Sequence, residues 1–377
     1  MLTRAARDLD PAQWPLSAAA LETLPSPTLL VWLDHVEQNV ERVLGLTGDR
    51  WRPHVKTVKT PELIEPLVAR GVRHFKCATV REAQMLAHLL ETRAAGAGDV
   101  LVAFPHVGPN LAGLAALARA AKGVRWSILS EDPTHAASVP DELGVFVDLN
   151  SGMDRTGAPL AAFDRILATA RAAGARCRGL HAYDGHHGDP DVQRRNALVR
   201  ASNERVRAVS AALRDAGCAV GEVITAGTPA FPAALSDPGW RGRPEVHRVS
   251  PGTVVLGDLR AIEQVPELGL VPAALVLARV VSHPHGRRVT VDAGSKALSA
   301  DVDVVGVPVG WPGLAPARPS EEHLPLDVAE GAARPPLGAP LLFIPGHVCP
   351  TVNLYDEVVL VERSGELRRA RITARGH

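Results

Sequence analysis

The run Arg52-Pro53-His54-Val55-Lys56-Thr57 holds a residue able to do covalent chemistry. The chain keeps five lysines against thirty-six arginines, so surface charge is mostly arginine's work and a retained lysine invites another use. Arginine cannot lose its proton in a protein, whereas lysine can, and a neutral amine condenses with an aldehyde to a Schiff base. Lys56 stands between a short apolar run and Thr60-Pro61, a pair that opens a helix. The junction of strand and loop is where α/β barrels carry their chemistry. An ordinary exposed lysine near a turn is the competing reading.

A second group sits far along the chain, in Pro345-Gly346-His347-Val348-Cys349-Pro350. If Gly346 to Cys349 is extended, His347 and Cys349 leave the backbone on one face. An imidazole and a thiolate together make two ligands of a zinc site, and the soft sulfur disfavours magnesium or manganese. Two protein ligands leave coordination positions open, as catalysis requires. A buried cysteine beside a chance histidine is the plain alternative.

Three more pieces read as walls of a pocket. Thr225-Ala226-Gly227-Thr228-Pro229 and Ser250-Pro251-Gly252-Thr253 each follow an apolar run, and glycine with hydroxyls at such a place lets backbone N–H groups approach a phosphate. Ordinary turn chemistry accounts for either loop alone. Arg155 lies in Ser151-Gly152-Met153-Asp154-Arg155-Thr156-Gly157. Tyr183, one of two tyrosines, lies in His181-Ala182-Tyr183-Asp184-Gly185-His186-His187.

Elements must position these residues. From Thr28 to Asp258, apolar β-branched runs (Thr28–Leu33, Arg73–Ala78, Asp99–Phe104, Val124–Leu129, Gly144–Leu149, Cys177–Ala182, Val220–Thr225, Val246–Ser250) alternate with helical stretches rich in Ala, Leu, Arg and Glu. Strict alternation implies βαβ units and a parallel sheet. With the segment before Lys56, eight or nine strands over about 230 residues suit a (β/α)8 barrel of the TIM type. After about Ala261 strand-like runs follow without long helices between them, which reads as a C-terminal β domain. The expected division is a barrel over 25–260 and a β domain built from 1–24 and 261–377, with 312–336 as an irregular loop.

Formal net charge is zero and no basic run stands out, so nucleic acid and anionic membranes are poor partners. No apolar run reaches a membrane span and no signal peptide is visible. Cys77, Cys177, Cys218 and Cys349 are scattered. A reduced, cytoplasmic protein is the simplest expectation.

In order along the chain, the Lys56 motif, Arg155 in SGMDRTG, Tyr183 in LHAYDGH, TAGTP, SPGT and GHVCPTVN resemble the D-threonine aldolase and D-serine dehydratase family of fold-type III, alanine-racemase-like pyridoxal-phosphate enzymes. The resemblance implies that Lys56 carries pyridoxal 5'-phosphate and acts on Cα. It places Gly227, Thr228, Gly252 and Thr253 around the phosphate, Arg155 near the phenolic oxygen and Tyr183 by the ring. It makes His347 and Cys349 ligands of a divalent metal, with zinc ahead of manganese or magnesium. It implies a homodimer and a small D-3-hydroxy amino acid as substrate. Cys349 favours a dehydratase acting on D-serine, D-threonine or D-3-hydroxyaspartate. A D-threonine aldolase and a fold-type III racemase stand as alternatives. For the racemase, Tyr355 is the remaining tyrosine and reads as structural. Single-domain cofactor-binding relatives lack the β domain. His186, His187 and Arg52 are further candidates for a base or a carboxylate binder.

Overall fold

In the computed structural model, which describes residues 9–377, the alternating texture becomes a barrel. Seven strands, His74–Cys77, Gly98–Val102, Val124–Ser130, Leu143–Asn150, Cys177–Ala182, Glu222–Thr225 and Val246–Val249, pair in parallel in chain order. The segment Trp51–His54 supplies an eighth stave. Arg52 N donates to Val249 O and Lys76 N donates to Pro53 O, each at 2.9 Å, so this segment bridges the last strand to the first. Lys56 follows it by two residues.

The intervening helices start where the sequence caps them. Thr79 Oγ1 accepts from Glu82 N while Glu82 Oε2 accepts from Ala78 N, and Asp132 and Asp191 accept from His135 N and Arg194 N at the starts of two later helices. Outward-facing strand residues such as Val147, Leu180 and Val223 pack against Ile166, Ala170, Val206 and Leu213 of the helices.

The interior is layered. Arg52, Asp99, Glu222 and Arg248 form a charged floor. Leu101, Leu129, Phe146 and Ile224, one from each of four strands, make a dry layer. Lys76, Asp148 and His181 form a polar layer toward the C-terminal strand ends. Alternation along each strand produces this stacking, since residues two apart share a face.

The compact unit holding this barrel comprises residues 43–56 and 64–252, with His377; the other comprises 9–42, 57–63 and 253–376. In the second unit a nine-stranded mixed sheet runs Leu314–Pro316, Leu324–Val328, Arg288–Val291, Ala274–His285, Thr28–Trp32, Glu357–Val361, Leu367–Arg371. Pro340–Pro345 pairs with Ala274–His285 and with Gly306–Pro308. Two expectations shift. Thr28–Trp32, read as a barrel strand, is a central strand of this sheet, antiparallel to Ala274–His285 and parallel to Glu357–Val361. An all-apolar run says that both faces are buried, not in which sheet. The segment 312–336, read as an irregular loop, contains two of the short strands. The expectation that residues 1–8 join the β domain lies outside the described residues.

Candidate active site

Lys56 sits in the 3₁₀ turn Val55–Thr57 at the end of the closing stave and is partly exposed, and its N–H faces His54 Nδ1 at 3.4 Å. Gly252, expected at a phosphate, has a packing reason to be glycine: a Cβ there would overlap His54 O on that stave. Three of the four non-glycine residues with positive φ among the described residues fall in the candidate loops: Lys59 (52°), Asp154 (54°) and Ala226 (59°). Each conformation costs about 1–2 kcal/mol for a residue with a Cβ. Such strain gathers where a loop's shape is used.

Tyr183 is the meeting point of the barrel-side residues. The Arg155 guanidinium lies 4.8 Å from its ring centroid and Lys76 Nζ lies 5.6 Å away. Gly185 and Gly227 make room for the ring, since a Cβ on Gly185 would overlap the phenol and one on Gly227 would come within 3.1 Å of Cε2. Gly227 N donates to Asp184 Oδ1 at 3.1 Å, so this glycine amide is engaged by a side chain rather than aimed at open space. Burial pushes the Asp184 carboxyl up to about 6, against the lowering effect of that hydrogen bond. Thr228 is buried beside it.

The sequence reading missed several groups here. Ser250 Oγ, at the end of Val246–Val249, is buried with no hydrogen-bond partner, and so is Asp148 Oδ2. The Ser250 hydroxyl can donate to a phosphate oxygen, so it fits a phosphorylated cofactor, whereas the acceptor Asp148 Oδ2 calls for a donor. Ser250 is the first residue of the Ser250-Pro251-Gly252-Thr253 run, a hydroxyl directly after an apolar strand. Lys76, in the apolar run His74-Phe75-Lys76-Cys77, gave no motif signal at all.

His186 and His187 lie in the loop after Cys177–Ala182 with ring centroids 3.9 Å apart; burial, then the His186 charge, lowers His187 to about 4. Arg52 is removed from the list of substrate binders, because it is fully buried in the charged floor.

In the mixed-sheet unit, the extended backbone expected for Gly346–Cys349 is only partly present. His347 is extended and stands at the N-cap of the short helix Val348–Val352, while Cys349 lies in its first turn. The two side chains nonetheless meet. Burial works against a charged His347 imidazole, yet the hydrogen bond and charge of Cys349, then Asp301, raise its pKa to about 9. His347 Nδ1 is 2.6 Å from Asp301 Oδ2. A carboxylate on one ring nitrogen orients the other toward a metal, the arrangement common among metal-binding histidines. Cys349 Sγ also lies 3.1 Å from Thr57 Oγ1 and 3.5 Å from Thr253 Oγ1, so the Thr253 hydroxyl faces the cysteine. Asp258 Oδ2 accepts from Val348 N at 2.9 Å and pins the motif. Among the described residues no group of three or more His, Cys, Asp or Glu is placed to hold a metal ion together. The pair with its carboxylate support fits an open metal site. Tyr355 Oη donates to Ala297 O at 3.0 Å and burial raises its pKa, which agrees with a structural role.

Residues 31–260 match the alanine racemase N-terminal domain and residues 273–361 match a putative serine dehydratase domain. The chain belongs to this family of alanine-racemase-like lyases. Its similarity to the D-threonine aldolase of Arthrobacter is 31% identity, covering 94% of each chain. The crystal structure of D-threonine aldolase from Filomicrobium marinum superposes with a TM-score of 0.82 at 29% identity, over 94% of this chain and 96% of that one. The D-threo-3-hydroxyaspartate dehydratase of Delftia gives a TM-score of 0.76 at 26% identity, over 95% and 99%. Structures of that dehydratase include a histidine-to-alanine variant and, two positions on, a cysteine-to-alanine variant described as in the metal-free form. The fold is therefore alanine-racemase-like, and the relatives are an aldolase and a dehydratase, both lyases.

Proposed function

We propose that this lyase is a dehydratase of a small D-3-hydroxy amino acid (D-serine, D-threonine or D-3-hydroxyaspartate), with pyridoxal phosphate on Lys56 and zinc at His347 and Cys349. The observation that carries the choice is the Cys349 thiol beside His347, with Asp301 behind the imidazole. A soft sulfur ligand suits zinc. When bound, pyridoxal phosphate supplies an electron sink for charge developing at Cα. Zinc would supply a Lewis acid for a β-hydroxyl that leaves poorly.

The chain's own groups do the rest. Lys56 would hold the cofactor, and its amine, once freed by the substrate's amine, would take the Cα proton from one side, which selects one enantiomer. Arg155 and Gly185 hold the Tyr183 ring in place as a platform. Asp184 fixes the Gly227 loop, and Ser250 Oγ offers a hydrogen bond to a phosphate. The substrate loses its Cα proton and β-hydroxyl, and the enamine, through its imine, takes up water to yield a 2-oxo acid and ammonia.

The greater identity to an aldolase supports a second reading, in which a base removes the β-hydroxyl proton and the Cα–Cβ bond breaks. Incubation of the loaded protein with D-threonine separates the two. The expected products are 2-oxobutyrate and ammonia, with Cys349→Ala losing both bound zinc by elemental analysis and most of this activity. Glycine and acetaldehyde would establish the aldolase reading, and an epimer of D-threonine a racemase. We further propose a homodimer, on the family resemblance.

A further inference from the structure

The mouth of the barrel contains a second lysine that the proposed reaction leaves unused. Lys76 is the third residue of His74–Cys77, points into the barrel and is 4% exposed. Its N–H is bonded to Pro53 O on the closing stave, three residues before Lys56. Lys76 Nζ stands 2.8 Å from His181 Nε2, and His181 Nδ1 stands 2.7 Å from Asp148 Oδ1. Burial, then the Lys76 charge, lowers His181 to about 4, so its ring is neutral across the working range. Asp148 takes the Nδ1–H, which leaves the Nε2 lone pair to accept from Lys76.

Burial first, then the Lys56 charge, pulls Lys76 itself down to about 7; Asp148 and Asp184 oppose this and Arg155 adds to it. A purely structural lysine would be poorly placed there. Its ammonium is fully desolvated, and the neutral imidazole gives it no counter-charge in direct contact. The carboxylate that could serve stands one residue removed.

We propose that Lys76 is a positioning residue of the active site: an amine on the floor of the barrel mouth, tied through His181 to Asp148, that presents a switchable positive charge to Tyr183 and to the group held on Lys56. This rests on the reading of Lys56 as the cofactor lysine. With the proton on, Lys76 donates to His181 and faces the Tyr183 ring as a cation. With the proton off, that charge is gone, and Arg155 is the cation left on the ring.

The test is a spectroscopic titration of the pyridoxal-phosphate-loaded protein between pH 5.5 and 9. Wild type, Lys76→Met and Lys76→Arg are compared, with kcat/KM profiles alongside. In wild type the visible band should shift in position or intensity with a midpoint inside this range, well below the usual lysine value. Both variants should lose that step. Lys76→Arg should resemble wild type at low pH and Lys76→Met wild type at high pH. Persistence of the step in both variants, or its absence from wild type, overturns the proposal. If Lys76→Met does not fold, Lys76→Arg decides alone, since it keeps charge and removes titration. Failure of the Lys56 reading looks different: no visible band in wild type, or a band that survives Lys56→Ala.

Discussion

Gly185 shows how little space surrounds the Tyr183 platform. The phenol occupies the position that a Cβ on Gly185 would need, and the ring is rigid, so it cannot yield as a flexible chain end would. Gly185→Ala should therefore displace Tyr183 from Arg155 and Lys76 at a cost of about 1–3 kcal/mol. Because the loop is at the surface of the mouth, the cost should fall on the site rather than on the fold. Pyridoxal-phosphate affinity should drop about tenfold or more while Tm stays within a degree or two. An unchanged affinity, measured by titrating the apoprotein through the visible band, would mean that the ring is not the platform described. Gly227→Ala is the milder companion, since its Cβ would stand 3.1 Å from Cε2 and a small shift of the ring relieves it.

At the scale of elements, the strand Cys177–Ala182 decides which side chains see the interior. Val145 pairs with Cys177 but the next residue, Phe146, pairs with Gly179, so Arg178 is an extra residue in this strand. Without this bulge every later side chain would change face, and His181 would turn away from Asp148 and Lys76. Gly179 makes the crossing possible: its φ is 150° and a Cβ would overlap Glu222 O on the neighbouring strand. Gly179→Ala should break the pairing with Glu222–Thr225, costing roughly 3 kcal/mol or more, since overpacking here is against backbone. Thermal unfolding with a Tm equal to wild type would refute that. The bulge also explains the limits of reading the sequence. Strand runs and helix caps are local signals, so the barrel, its approximate strand positions and the motif loops were legible. The bulge depends on a partner strand's register. The Lys76–His181–Asp148 chain spans 105 residues between its first two members. Asp301 supports His347 from 46 residues upstream. None of these has a local signature, and Thr28–Trp32 went to the wrong sheet for the same reason.

The whole barrel is closed by a four-residue stave, and Arg52 ties that stave across the interior. Its guanidinium donates to Asp99 Oδ1 at 3.0 Å, to Glu222 Oε1 at 3.0 Å and to Phe75 O at 3.2 Å, which spans three other strands. Asp99 also takes Arg125 at 2.9 Å and Arg178 at 3.0 Å, and Glu222 takes Arg248 at 3.1 Å. Burial, then Arg248 and Arg52, lowers His74 to about 4, so it adds no further cation. Without Arg52, Asp99 keeps Arg125 and Arg178 and Glu222 keeps Arg248, so what is lost is Arg52's own buried hydrogen bonds, about 1.5–3 kcal/mol for each one to a charged group. Arg52→Ala should thus lower Tm by several degrees or abolish soluble expression. The pH dependence carries a sign. Burial alone would raise the Asp99 pKa, but Arg52, Arg178 and Arg125 hold it below the usual carboxylate range. A depressed carboxylate stabilises fully above its unfolded value near 4 and loses that contribution as pH falls through the folded value. The Tm gap between wild type and Arg52→Ala should therefore be constant from about pH 5 to 8 and narrow below about 4. A gap that widens on acidification would show that Asp99 is not the carboxylate Arg52 serves.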